Sequence, residues 1–418
     1  MPLRAYAHNV MQRCDQLATI SQHSNYIDRR YLSVQHKQAN ELVASWMREA
    51  NMRVWQDEAG NQWGRYVSSH QNAKSLVIGS HLDTVPNSGK YDGILGVLLP
   101  LSYIQYLHDN HISLPYHIDI VGFADEEGTR FGTTLLGSRA VAGTWQDKWA
   151  SLKDNNEISI ATAMRTFGLE INNIHNAAAD PDDLLGFLEI HIEQGPVLES
   201  KGASVGVVTG IAGAKRFNIE VTGHAGHAGT VPMALRQDAL VGSAEMLIAI
   251  ERLAIQSELV ATVGKINSAS QAVNVISGHV EFSLDIRSLN NEIRDDCLQQ
   301  IELELERIAQ QRGLVLNIKQ SHEADATPCH PEMISKLVKA CEQSSMVPHL
   351  ISSGAGHDAM ALAHLCPMGM LFVRCEKGVS HHPEESITTD DVVCTLDVLR
   401  SFCEGEAQKL SNTSDLVA

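Results

Sequence analysis

The chain is short of basic residues. Lys and Arg number 32 against 50 Asp and Glu, a formal charge of -18 at pH 7. That balance excludes nucleic acid as a main partner, because neutralising phosphates needs a basic face. A small anionic substrate stays admissible, since a local group of Arg and His can oppose the global field. Eight cysteines are scattered as Cys14, Cys297, Cys329, Cys341, Cys366, Cys375, Cys394 and Cys403, and none forms a C-x-x-C pair. This removes a zinc ribbon and a thioredoxin-like site, and a reduced, cytoplasmic setting is the expectation. The N-terminus MPLRAYAHNVMQRC lacks an apolar signal core. No run of about 18 apolar residues follows it, so no membrane partner is expected. The G-x-S-x-G elbow, the G-x-x-x-x-G-K-[ST] loop and H-E-x-x-H are all missing. Serine nucleophiles and nucleotide hydrolysis therefore have no support.

What is there begins with two polar segments. SHLDTVPNSGKYDG runs from Ser80 to Gly93, and FADEEGTRFG starts at Phe123. Each follows a short apolar run, SLVIG or IDIVGF, which reads as a buried strand delivering polar groups at its C-terminal end. The segments carry His81, Asp83, Asp92, Glu126 and Glu127. A histidine with carboxylates suits a divalent metal, zinc or manganese for preference. Neighbouring glutamates do not comfortably ligate one ion together, so one would bind metal while the other handles protons. In the H-x-D of His81 and Asp83 the carboxylate can sit behind the imidazole and fix its tautomer. The bland alternative is a set of turn-forming aspartates and a surface histidine, with Asn87, Gly89 and Gly93 around them. Further histidines weigh against it: His191 in EIHIEQGP, and His381 and His382 in GVSHHPEE, each after an apolar strand. Groups at the C-terminal ends of strands in one α/β sheet converge by topology.

With 418 residues, two domains are expected. A helical stripe (Leu42, Val43, Trp46, Met47) precedes the strand-like runs MRVWQD, QWGRYV, SLVIGS and HIDIVGF, with a helix GVLLPLSYIQYLHD before the last of these. Pro100 predicts a kink or interruption in that helix. A polar stretch from about Lys148 to Asp183 reads as helices on a surface excursion. LLGFLEIHIEQGPVLES follows, a strand with His191 and Glu193 on one face. From Val205 the pattern alternates in KRFNIEVTG, LVATVGKIN, AVNVISG and HVEFSLDIRS, the mark of an antiparallel sheet with one solvated side. Two helix candidates interleave, giving an inserted α+β unit. Strand–helix character then returns and ends in the helix DVVCTLDVLRSFCEGEAQKL.

Two decoys fall away. SGAGHDAMALAH loosely matches a dinucleotide fingerprint, but no acidic residue ends a second strand at the required distance. H-I-E at His191 opens like a zinc deaminase signature whose P-C-x-x-C half is absent.

Seven segments in order, GSHLDTVPNSGKYDG, DEEGTRFGTTLLGS, EIHIEQGPVLE, GHAGHAGTVPM, AVNVISG, SGAGHDA and GVSHHPEE, carry a resemblance over nearly the whole chain. It resembles the allantoate amidohydrolase and N-carbamoyl-L-amino-acid hydrolase family, within the dinuclear-metal aminoacylase/carboxypeptidase superfamily. The resemblance implies an α/β, mixed-sheet catalytic domain formed by residues 1–210 and 325–418. Residues 211–324 would be an inserted α+β lid through which a homodimer forms. It implies two divalent ions, zinc or manganese: one held by His81, Asp92 and His191, the other by Asp92, Glu127 and His381, with Asp92 bridging. His381 is preferred to His382 because the family's ligand stands two places before the proline. Glu126 would be the general base, Asp83 would orient His81, and His227 would stabilise the tetrahedral intermediate. Gln194, Arg216, His227, Asn274, Arg287 and Gly356 match substrate-binding positions, Arg287 as a carboxylate clamp. The substrate implied is a ureido carboxylate, allantoate before an N-carbamoyl-L-amino acid. Ureidoglycolate, N-carbamoyl-β-alanine, and aminoacylase or dipeptidase substrates remain as alternatives.

Overall fold

In a computed structural model, residues 3–270 and 272–415 are described. The chain divides into two compact units, one running to Thr209 and resuming at Cys329, the other spanning Gly210–Pro328. The strands in chain order are β1 (Arg53–Gln56), β2 (Gln62–Tyr66), β3 (Ser75–His81), β4 (His117–Phe123), β5 (Leu184–Ile192) and β6 (Val205–Ile211). There follow β7 (Gly213–Thr222), β8 (Gly226–His227), β9 (Val260–Thr262), β10 (Ile266–Ser268), β11 (Val275–Ile276), β12 (His279–Ser288) and β13 (Val315–Ala324). The last are β14 (Thr327–Pro328), β15 (Leu350–Ser353) and β16 (Met368–Val373).

The first unit is built on a mixed sheet in the order β1-β2-β4-β3-β5-β16-β6, with β15 also on β6. β3 lies parallel to both β4 and β5, and β16 parallel to β5. The flanking pairs β2–β4 and β16–β6 are antiparallel. Every residue of β3 is buried. A strand covered on both faces needs an unbroken apolar run, which is why SLVIG does not alternate. On one side helices Leu3–Ala18, Ile94–Asp109 and Thr389–Asp415 share a core with Leu76, Ile78, Leu188 and Ile190.

Two expectations are met only in part. The helix Ile94–Asp109 continues through Pro100 without interruption. It is buried on nearly all sides from Ile94 to Ile104. Packing there outweighs the one backbone hydrogen bond that proline removes. The stretch from about Lys148 to Asp183 is helical in short pieces, as expected, yet it is not merely a surface excursion. Trp149, Ile160, Met164, Phe167 and Ile174 are buried in one cluster with Trp145, Tyr31, Leu32, Ala124, Phe131 and Leu136.

The second unit is an antiparallel sheet, β10-β12-β7-β13, with β9 also on β12. Burial alternates along β12, as its sequence does. Helices Ala239–Gln256 and Asn291–Arg312 bury one stripe each against Phe217, Ile219, Val221, Phe282 and Leu284. The unit closes four residues beyond the sequence boundary at 324, because β14 pairs Thr327 with Ile211 and Pro328 with Gly210.

Candidate metal centre

Three parallel strands, β4, β3 and β5, end along one edge of the sheet, and each delivers a titratable group there. His81 is the last residue of β3, and His191 the last but one of β5. β4 ends at Phe123, and the chain then turns through Asp125, with φ 61, to present Glu126 and Glu127. Asp92 comes from the turn that starts helix Ile94–Asp109. Gly93, with φ 71, lies so close to His81 that a Cβ would strike the imidazole. Only glycine combines that backbone with that approach. His381, with φ 55, comes from the loop after β16.

The groups gather in overlapping sets: His81, Asp92 and His191; Asp92, Glu127 and His381; and His81, Glu126 and Glu127. Asp92 offers a different oxygen to each side. Its Oδ1 lies 3.1 Å from His191 Nε2 and 3.7 Å from His81 Nε2. Its Oδ2 lies 3.1 Å from His381 Nε2, which is 3.6 Å from Glu127 Oε1. The imidazoles are oriented from behind. His81 Nδ1 donates to the Asp83 carbonyl at 3.0 Å, and His191 Nδ1 to the Ile192 carbonyl at 2.9 Å. Donation from Nδ1 turns each Nε2 into the cluster, where its lone pair would meet a metal once any proton shared with Asp92 has left.

The groups of the cluster perturb one another strongly. Burial pushes the Glu127 carboxyl up, and with the charge of Asp92 it reaches about 8. Burial, then Glu127, then Asp358 hold the Glu126 carboxyl well above its ordinary range. Burial opposes ionisation of Asp92 too, but hydrogen bonds to His191 and His381 outweigh it and keep that carboxyl well below the usual range. Burial disfavours a charged His191, yet the hydrogen bond to and charge of Asp92 lift it to about 9; the bond to Asp92 lifts His381 likewise to about 9. Three carboxylates and three imidazoles, converging with imidazole Nε2 and carboxylate oxygens, fit a divalent ion of zinc or manganese type.

Other expected residues fall as follows. The Asp83 carboxylate stands 3.7 Å from His81 Nδ1 and accepts instead from the amides of Glu126 (3.1 Å) and Glu127 (3.2 Å). It therefore fixes the glutamate loop, while its own carbonyl holds the ring. His382 is in none of the sets and accepts from the Glu384 amide. Glu193 does not share the role of His191: its carboxylate accepts from the amides of Val197 and Leu198. Gln194 donates to Asp92 Oδ2 at 3.0 Å. Gly356 lies in the loop before His357, whose ring meets His191 edge-on at 4.6 Å. Arg216, His227, Asn274 and Arg287 belong to the second unit. There Arg216 and Arg287 both bind Asp285, and His227 pairs with Val275 beside Asn274. Sequence reasoning passed over Ser380, Glu385 and Arg29. The first two stand in GVSHHPEE, where only the histidines drew notice; Arg29 carried no signal.

The model of peptidase family M20/M25/M40 matches residues 77–405, and the chain belongs to that family. Within it the chain stands with the allantoate amidohydrolases and N-carbamoyl-L-amino-acid hydrolases and is an amidohydrolase. "Allantoate deiminase 1" of Glycine max is 37% identical over 91% of this chain and 85% of its own length. An N-carbamoyl-L-amino acid amidohydrolase of Geobacillus stearothermophilus is 39% identical over 93% of this chain and 95% of its own. Among solved structures, an amidase of the hydantoinase/carbamoylase family from Burkholderia multivorans superposes with a TM-score of 0.90 at 30% identity, covering 96% of this chain and 98% of that one. AtUAH in complex with glyoxylate gives a TM-score of 0.78 at 30% identity, covering 96% and 99%.

Proposed function

We propose that the protein hydrolyses a non-peptide C–N bond in a linear ureido acid, allantoate first, with two divalent ions, zinc or manganese. For allantoate the products are ammonia, carbon dioxide and a ureidoglycine-type acid, a step of purine catabolism. The observation that carries the two-ion reading is Asp92, which turns one oxygen towards His81 and His191 and the other towards His381. His81, His191 and Asp92 would hold one ion, and His381, Glu127 and Asp92 the other. When bound, such ions supply a low-pKa water and polarise the ureido carbonyl. Glu126, within 4.0 Å of His81 and in none of the paired holds on Asp92, takes the proton of the attacking water. It then returns that proton to the leaving nitrogen. Asp83 keeps Glu126 in place through its amide. The roles of Gln194, Gly356, Arg216, His227, Asn274 and Arg287 in holding substrate rest on the family resemblance.

The second reading is N-carbamoyl-L-amino-acid hydrolysis, favoured by the 39% identical relative of that name. The test is a panel on metal-loaded protein: allantoate, ureidoglycolate, N-carbamoyl-L-methionine, N-carbamoyl-β-alanine, an N-acetyl amino acid and a dipeptide. The expected result is ammonia release from ureido acids, with the highest kcat/KM for allantoate. Faster cleavage of the acyl or peptidyl compounds would remove the ureido reading.

We infer further that two copies pair through the second unit. Val241, Ile248 and Ile255 recur every seven residues on one face of helix Ala239–Gln256, 47%, 68% and 70% exposed. Such a stripe on a soluble domain marks an association surface. All eight cysteines are free, in keeping with a reducing, cytoplasmic setting.

A further inference from the structure

We propose that Glu385 is a positioning residue that, with Ser380, fixes Asp92 in the pose from which both of its oxygens can ligate. This rests on the two-ion reading above. A bridging carboxylate must aim both oxygens at once, and one on a free turn would rotate to favour either side. Here the turn is held by a carboxylate from the far end of the chain. Glu385 Oε1 accepts from the amides of Tyr91 (2.8 Å) and Asp92 (3.1 Å). Ser380 Oγ lies 3.0 Å from both Glu385 Oε2 and Asp92 Oδ2, so its single proton stands between brace and braced side chain and serves either oxygen. The Glu385 amide donates in turn to the His382 carbonyl at 3.0 Å, closing the loop that carries His381.

Two further features mark this as more than a loop tie. Glu385 is 3% exposed, and a buried carboxylate is costly unless donors satisfy it; here two backbone amides do so, with the Ser380 hydroxyl within reach of the other oxygen. The Asp92 turn is also wedged from both ends. Gly93 abuts His81, while at Gly89 a Cβ would collide with the Glu385 side chain. Ligand, brace and wedge thus sit within one constellation, and GVSHHPEE supplies both the ligand His381 and the group that aims its partner.

The experiment is calorimetric titration of metal-free protein with manganese, for wild type, Glu385→Ala, Glu385→Gln and Gly89→Ala, with circular dichroism to show each folded and kcat on allantoate alongside. Groups behind metal ligands typically change affinity about 10- to 100-fold when removed. Glu385→Ala and Gly89→Ala are expected to lose manganese affinity in that range while folded. Glu385→Gln, whose carbonyl oxygen can still accept both amides, should recover most of it. Unchanged affinity in both alanine variants overturns the proposal, as does equal loss in Gln and Ala, which would assign the effect to charge alone. Should Glu385→Ala not fold, Gly89→Ala decides by the same comparison, because it displaces the brace without deleting it. Wild-type protein that binds fewer than two ions overturns the two-ion reading itself; two ions in wild type with unaltered variants overturns only the brace.

Discussion

Glu126 and Glu127 are adjacent in sequence and differ in what surrounds them. Glu127 faces His381 and Asp92, whereas Glu126 approaches His81 only at 4.0 Å. The account therefore predicts that Glu126→Gln lowers kcat by about 10²- to 10⁴-fold, the usual worth of a general base, and leaves manganese stoichiometry unchanged. Rates and calorimetry on one preparation check both halves. A second residue-scale prediction concerns His36, which is fully buried and accepts a hydrogen bond from the Leu32 amide. Burial, helped by the charges of Arg29 and Arg130, lowers it from 6.5 to about 3. The unfolded chain binds this proton first, so stability falls as pH drops from about 6.5 towards 3, by about 2 kcal/mol at pH 5. His36→Gln should lack that part of the acid slope. Urea unfolding of both metal-free proteins between pH 7 and 5 isolates it, since contributions from the other groups cancel in the difference. The five positions proposed as ligands could be picked out because polar groups follow strand-like runs or a Gly-rich turn beside one, and the family motifs fix their order. Ser380 and Glu385 were not legible. Their partners, Asp92 and Tyr91, lie nearly three hundred residues away, and no local pattern encodes such a contact.

At the scale of elements, strands read well wherever burial is uniform or strictly alternating, as in β3 and β12. The readings met only in part were those where packing overrides a local rule. Pro100 breaks isolated helices, yet the surrounding core holds this one. The composition of residues 148–183 looks solvated, yet its few apolar residues converge on Trp145 and Trp149. Arg29 shows how elements are joined without any sequence signal. Its guanidinium donates to the carbonyls of Leu17, Ile20 and Leu82, tying the end of helix Leu3–Ala18 to the chain leaving β3. Burial lowers its pKa to about 10, still charged at neutral pH. Arg29→Met would leave three carbonyls without this donor, and buried acceptors left unpaired cost about 1–3 kcal/mol each. The expected loss is at least about 3 kcal/mol, read as a shift in the urea midpoint at unchanged m-value.

For the whole molecule, the switch from uniform to alternating burial after β6 made the inserted unit visible in sequence. Its end was blurred because β14 is only two residues long. The exposed stripe on helix Ala239–Gln256 leads to a prediction about assembly. Wild-type protein should sediment at twice the 45.7 kDa chain mass, and Ile248→Glu should shift it to the monomer, since a charge in an apolar contact carries a desolvation penalty. A monomeric wild type at micromolar concentration would contradict the pairing. The central claim, hydrolysis at a dinuclear centre, meets its most direct test in one titration. Metal-free protein is reconstituted with manganese in steps, and the initial rate of ammonia release from allantoate is followed against ions bound per chain. The account predicts negligible rate without metal and a rise that reaches its plateau at two ions. A full rate at one ion, or in the absence of metal, would contradict it.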